Sequence, residues 1–230
     1  MLTNYGTCVI YKQTRRIEPG DIVFQSDTPG NYTYAIKKPG TYEITISGGG
    51  GSGSSMALRN TGTTSNRIHH DGYNGELAVL NTTLTRGQVI SGVVGGGAEG
   101  SYTYARTSYH NRYAGEPGTG YESGTKGTTA GNGDLHQVAA GSGGGSTSLE
   151  IDNVLQTVVK GGNGGANSVT ITPYGGSAVT ISTTGGKGGS GGTTTGTGAA
   201  GGAYSYGTGE GSANTSGPGT NGYVSIKFIS

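Results

Sequence analysis

The stretch Val154-Leu155-Gln156-Thr157-Val158-Val159-Lys160-Gly161-Gly162-Asn163-Gly164-Gly165 decides the fold. Its first half is rich in β-branched residues and reads as a strand, and its second half discards side chains almost entirely. Glycine loses more conformational freedom on folding than any other residue, so a glycine run placed directly after a strand needs a physical reason. Related clusters begin at Gly48 (GGGGSG), Gly95 (GGG), Gly141 (GSGGG) and Gly185 (GGKGGSGG). A flexible linker accounts for neither the repetition nor the strands that abut the clusters.

Composition sharpens the problem. Glycine supplies 51 of 230 residues, roughly three times its usual share. Leu, Ile, Val and Phe together supply 36, few enough to suggest disorder on their own. The other half of that signature is missing, because the net charge is only +1 and tyrosine contributes 15 residues. The chain is therefore either low-complexity coil or a fold held mainly by backbone hydrogen bonds. Its length suits one domain, divided here into residues 1–25 as an N-terminal attachment segment and 26–230 as the glycine-rich domain.

Several function classes drop out. The first residues, Met1 to Ile10, lack a basic stretch followed by an apolar one, and no apolar run approaches membrane-spanning length. Synthesis in a cytoplasm without membrane insertion is expected. The single Cys8 cannot form an internal disulfide and reads as a half-buried strand residue. Fourteen Lys and Arg against thirteen Asp and Glu give no nucleic-acid footprint. Irregular glycine spacing excludes collagen.

Short alternating segments punctuate the chain. Tyr32 to Ile36 and Tyr42 to Ile46, joined by Lys37-Lys38-Pro39-Gly40, predict a hairpin, and Glu76 to Asn81 and Gln88 to Val94 flank Leu84-Thr85-Arg86-Gly87 in the same manner. Leu149 to Ile151 and Val154 to Val159 surround the turn-favouring Asp152-Asn153. Ser168 to Thr172 and Ala178 to Ser182 are near copies across Pro173-Tyr174-Gly175-Gly176, and Tyr223 to Phe228 suits a final strand. Every helical-period candidate, such as Ser55 to Asn60, is cut by glycine, so no helix is expected.

Three pieces carry a family resemblance: Gly40-Thr-Tyr-Glu-Ile-Thr-Ile-Ser-Gly-Gly-Gly-Gly, Leu84-Thr-Arg-Gly-Gln-Val-Ile-Ser-Gly-Val-Val-Gly-Gly-Gly, and Asn221-Gly-Tyr-Val-Ser-Ile-Lys-Phe. In order and spacing they look like the signature pieces of the glycine-rich domains at the ends of bacteriophage tail fibres and adhesins, over Asp27 to Phe228. The resemblance implies an all-β scaffold of short antiparallel strands with a packed bundle of polyglycine II helices, and variable loops at one end that contact the host. Longer family members carry fibre shafts or attachment domains, whereas about 25 residues precede the domain here.

That architecture gives the glycine clusters a reason. A polyproline-II-like rod has about three residues per turn and no internal hydrogen bonds, so its donors and acceptors must pair sideways. Without Cβ atoms, neighbouring backbones approach closely enough to do so. Gly48, Gly49, Gly50, Gly95, Gly96, Gly161, Gly162, Gly164, Gly165, Gly188 and Gly189 are the expected packing positions.

Chemical motifs are weak by comparison. Gly48 to Gly53 matches a dinucleotide fingerprint but no helix follows it, and Gly188-Gly-Ser190-Gly-Gly192 matches a nucleophile elbow at the frequency expected by chance. His69-His70-Asp71 invites a metal, yet adjacent histidines on an extended backbone point to opposite sides. Glu99, Glu116, Glu122 and Asp134 read as surface charge rather than a glycosidase pair. No cofactor, metal or catalytic residue is assigned.

The informative insert is Ser101 to Tyr121, SYTYARTSYHNRYAGEPGTGY. Tyrosine offers large amphipathic contact area at low entropic cost, and its mixture with Arg, His, Ser and Gly suits a binding loop. Tyr102, Tyr104, Arg106, Tyr109, His110, Arg112, Tyr113 and Tyr121 are the primary receptor-contact candidates. A second group is Arg59, Arg67, His69, His70 and Tyr73, and a third is Tyr204 and Tyr206. Tyrosines that merely clamp the loops together are the competing reading. The expected protein is a virion surface component that binds a bacterial envelope receptor, protein or glycan, and joins another virion protein through residues 1–25. A purely structural virion part is the alternative, assembly into a homo-oligomer stays open, and nucleic acid is not an expected partner.

Overall fold

A computed structural model describes residues 16–59, 62–106, 109–132, 136–192, 196–209 and 211–230. Cys8, most of the expected attachment segment and Asp134 lie outside them. The described residues are all β, with short and mainly antiparallel strands and no helix. One sheet runs β1 (Ile22–Ser26), β19 (Tyr223–Phe228), β3 (Gly40–Ser47), β6 (Glu76–Leu84) and β16 (Gly196–Thr197). A second runs β13 (Val154–Val159), β12 (Thr147–Ile151), β7 (Val89–Val94) and β2 (Gly30–Ala35). The two enclose the larger core, where Tyr42, Ile44, Ile46, Val224, Ile226 and Phe228 from the first meet Tyr32, Ile90, Val94, Leu149 and Val159 from the second. Within it the Tyr42 and Phe228 rings meet edge to face at 5.3 Å. β1 spans the expected boundary at residue 25, and Ile17 packs on this core.

Three small sheets form the other end of the molecule. They are β10 (Thr129–Asn132), β11 (His136–Ala139), β4 (Ser55–Leu58) and β17 (Ser205–Thr208); β15 (Val179–Thr183), β14 (Asn167–Pro173) and β5 (Gly62–His69); and β18 (Ser212–Thr215), β8 (Tyr102–Arg106) and β9 (Tyr109–Tyr113). A smaller core of Met56, Leu58, Val138, Val169, Ile171 and Ile181 lies here.

The segments around the turn-favouring Asp152-Asn153 pair as the hairpin β12–β13, and the near copies on either side of Pro173 to Gly176 pair as β14–β15. Asp152 and Asn153 take φ of 49° and 63°, the left-handed values that short hairpin turns require. The expected hairpin at Lys37 to Gly40 does not form. Its two strands exist, but β2 pairs with β7 while β3 pairs with β19 and β6. β6 and β7 likewise enter different sheets. Each connection arches from one layer to the other, so the apolar faces of its strands meet across the core rather than side by side. The arches are bonded to each other, Ile36 N–H to the Gln88 carbonyl at 2.8 Å and Gly87 N–H to the Ile36 carbonyl at 2.9 Å.

Between the ends run connecting segments that are neither strand nor helix: 48–54, 70–75, 95–101, 114–120, 122–128, 140–146, 160–166, 184–190, 198–204 and 216–222. Segment 48–54 sits among the others. Gly48, Gly51 and Ser54 donate their N–H groups to Glu76, Tyr73 and His70, Gly49 and Ser52 to Gly145 and Ser142, and Gly50 and Gly53 to Thr220 and Gly217. The direction of donation returns at every third residue. Carbonyls rotate in the same way: Gly49 and Ser52 accept from Gly162 and Gly165, Gly50 from Ala98, and Gly51 and Ser54 from Gly202 and Ser205. Antiparallel neighbours receive the N–H bonds and parallel neighbours supply them.

This packing explains the missing side chains. A Cβ at Gly162 would lie 1.9 Å from the Tyr73 carbonyl oxygen, at Gly164 2.0 Å from that of Gly141, and at Gly188 1.9 Å from that of Gly161. Gly48, Gly49, Gly50, Gly95, Gly161, Gly165 and Gly189 are equally closed by a backbone oxygen at 2.0–2.2 Å. Gly96 differs, since its nearest neighbours lie at an ordinary 3.5 Å. None of these glycines takes a left-handed φ. Space, not backbone conformation, excludes the side chain.

Candidate functional site

The Tyr-rich insert is not one loop. It is a β-hairpin at the three-sheet end, followed by segment 114–120, which returns to the sandwich. Strand alternation sorts the hairpin residues onto two faces. Thr103 and Ala105 are fully buried, whereas Tyr102 and Tyr104 are half-buried on the opposite face and Arg106 beyond them is exposed. In register, Tyr102 lies opposite Tyr113, Tyr104 opposite Asn111, Ala105 opposite His110 and Arg106 opposite Tyr109. The side chains of Tyr109 and His110 lie outside the described residues.

Arg112 and Tyr113 among the primary candidates serve the framework, and Tyr104 is engaged as well. Arg112 donates to Gln137 Oε1 on β11 at 2.7 Å, tying the hairpin to the neighbouring sheet. Tyr113 Oη donates to Glu116 Oε1 at 2.7 Å, and Lys126 Nζ lies 2.5 Å from the same oxygen and 4.5 Å from the Tyr113 ring centre. The hydrogen bond from Lys126, then that from Tyr113, holds the Glu116 carboxyl below its ordinary range, while Glu116 pushes the Lys126 ammonium and the Tyr113 phenol up. Tyr113 thus clamps segment 114–120 to segment 122–128.

The structure brings the second and third candidate groups together, across more than a hundred residues of chain. His69, at the end of β5, lies 4.0 Å from the Tyr204 ring centre and 6.1 Å from that of Tyr206, nearly parallel to the latter at 12°. The Arg67 guanidinium sits 5.3 Å from the Tyr206 ring centre and donates to its Oη. Asp71 Oδ1 accepts the Tyr204 N–H at 2.8 Å. The result is a ladder, Tyr204–His69–Tyr206–Arg67, with Tyr204 and Arg67 exposed at its two ends. His70 and Tyr73 are exposed along segment 70–75 and Arg59 is half-buried after β4. β17, which carries Tyr206, packs against β18 beside the hairpin, so ladder and hairpin share one end of the molecule.

No protein-family model matches the chain, and no curated protein matches it in sequence.

Tyr121 stands apart from the other primary candidates. Its N–H donates to the Ser146 carbonyl, immediately before β12, so it lies at the sandwich end where segment 114–120 turns back into 122–128. An open cleft of about 450 Å³ lies there between Tyr121 and Glu122, the edge strand β13 and Ser190. Sequence reasoning missed it because its walls come from three distant segments, and its one visible signal was an exposed tyrosine beside a carboxylate. Among the described residues no group of three or more His, Cys, Asp or Glu side chains could hold a metal ion. His136, buried on β11, is held below its ordinary range first by burial and then by the Arg59 charge.

Proposed function

We propose that this chain is a bacteriophage virion surface protein of the tail-fibre adhesin type, which binds a bacterial envelope receptor through the three-sheet end. In this reading it is made in the host cytoplasm, joins the particle through its N-terminal segment, and acts by binding without bond cleavage. One observation carries the reading: the connecting segments run between the sandwich and a single end where Tyr102, Tyr104, Arg106 and the Arg67–Tyr206–His69–Tyr204 ladder gather. Binding surfaces favour such residues, because aromatic rings and arginine supply contact area and directed hydrogen bonds with few rotors to freeze.

The framework would serve that role through stiffness. We infer that the connecting segments are polyglycine II helices, a reading supported by the return of hydrogen-bond direction at every third residue. At about 3.1 Å per residue, seven residues carry the chain roughly 20 Å from sandwich to tip. A bundle bonded sideways in several directions resists shear better than separate loops, so tip side chains are held before the receptor arrives and less ordering cost falls on binding.

Adsorption separates this from a purely structural virion part. Labelled full-length chain is screened against a panel of bacterial isolates, and the combined Tyr104→Ala, Arg106→Ala and Tyr204→Ala variant is compared on those that bind. Loss of hot-spot contacts worth about 2 kcal/mol lowers affinity roughly thirtyfold, with the melting temperature nearly unchanged because the substitutions are at least partly exposed. Equal adsorption by variant and parent removes this face as the contact. Failure to adsorb to any isolate favours the structural alternative.

A further inference from the structure

We propose that the cleft at the sandwich end is a binding site for a neutral saccharide, separate from the tip face. Its wall on one side is Tyr121, 45% exposed, whose ring can lie against the C–H face of a sugar. The same cleft is lined by residues with polar groups of the kinds that read hydroxyls: the Glu122 carboxylate, the Gln156 carboxamide, and the Thr157 and Ser190 hydroxyls, together with Gly191. The volume of about 450 Å³ fits one or two sugar rings.

Two features make this a prepared site rather than a chance depression. The Glu122 carboxylate is already oriented, with Oε2 accepting the Ser190 N–H at 3.2 Å, and it keeps lone pairs for a ligand. Gln156 is fixed in turn, its Nε2 donating to the Val154 carbonyl at 2.9 Å, which leaves its carbonyl oxygen as an acceptor. The walls themselves are tied down: Glu122 N–H donates to Ser146 Oγ in segment 140–146 at 2.8 Å, and Gly192 N–H joins its wall to β13 through the Val158 carbonyl at 2.6 Å. Groups held this way lose little freedom when a ligand arrives.

Charge selects the class of ligand. Among the described residues that line the cleft there is no lysine or arginine, while Glu122 contributes a negative charge. A phosphate, sulfate or acidic sugar would meet repulsion with no counter-charge, whereas an uncharged polyol offers donors to the carboxylate and carboxamide. An apolar ligand is equally ill suited, since Tyr121 and Val158 are the main apolar walls.

The test uses ligand-observed saturation-transfer NMR on the full chain. The probes are maltose, cellobiose and N,N′-diacetylchitobiose, with N-acetylneuraminic acid and inorganic phosphate as anionic comparisons. At least one neutral disaccharide should bind, and Tyr121→Ala and Glu122→Gln should each weaken it tenfold or more with the melting temperature unchanged. The tip variant of Tyr104, Arg106 and Tyr204 should bind it as the parent does, which separates failure of this proposal from failure of the tip reading. Binding of none of the neutral probes, stronger binding of an anionic one, or indifference to both cleft substitutions would overturn the assignment.

Discussion

A glycine in this chain is a statement about its neighbour. Gly162 and Gly164 have ordinary φ, so a side chain is excluded only by the carbonyl oxygens of Tyr73 and Gly141 at 1.9 and 2.0 Å from the Cβ position. Even one methyl group must therefore push a segment away and break the hydrogen bonds it shares. Overpacking of this kind costs about 3 kcal/mol, and for a domain of this size each kcal/mol lowers the melting temperature by about 2–4 °C. Gly162→Ala and Gly164→Ala should each melt roughly 6–12 °C below the parent. Gly176 supplies the control: it is exposed, its nearest neighbour is 3.4 Å away, and Gly176→Ala should leave melting almost unmoved. Calorimetry on the three variants decides the matter, and equal melting of all of them would contradict close approach.

At the scale of elements, serine completes what glycine begins. Where a connecting segment lacks a backbone partner in one direction, a hydroxyl fills the gap. Ser142 Oγ accepts the Gly127 N–H at 3.1 Å and donates to the Gly115 carbonyl, joining segment 140–146 to two neighbours at once. Ser52 Oγ accepts the Ser142 N–H at 2.9 Å, and Ser101, Ser55 and Ser216 share hydroxyl bonds around the Gly53 carbonyl. Ser142→Ala keeps the volume within one atom but strands the buried Gly115 carbonyl and the half-buried Gly127 N–H, a loss of about 1–3 kcal/mol that thermal denaturation should register, whereas an unchanged curve would mean the hydroxyl only fills space. The strands that flank these segments were legible from alternation at Tyr32 to Ile36 and Tyr42 to Ile46, and from β-branched content at Val154 to Val159. Their pairing was legible only where a turn was short and specific, as at Asp152-Asn153. Lys37 to Gly40 looked equally turn-like, yet whether a connection turns within a sheet or arches between sheets depends on the opposite layer, which no local stretch contains. Strands β4, β8, β9, β11, β17 and β18 were missed because each is only four or five residues long, too short for alternation to register, and they are paired through the bundle's geometry rather than through propensity.

For the molecule as a whole, two β ends are joined by backbones that bond to one another in rotation, and this arrangement fixes where the candidate sites lie. The insert 101–121 looked like one contact loop, but it is divided between both ends: the hairpin faces the tip with the His69 ladder, and Tyr121 faces the cleft beside β13. Sequence spacing could not reveal this, because segment 114–120 covers the full distance between the ends within seven residues. The account stands or falls on whether the glycine segments are bonded framework or slack connection. Amide hydrogen exchange read by mass spectrometry on peptides covering 48–54 and 160–166 tests it most directly, since Gly48 to Ser54 each donate an N–H to another segment. The account predicts protection comparable with that of β3 and β19 in the sandwich; exchange at the rate of an unstructured glycine peptide would contradict it.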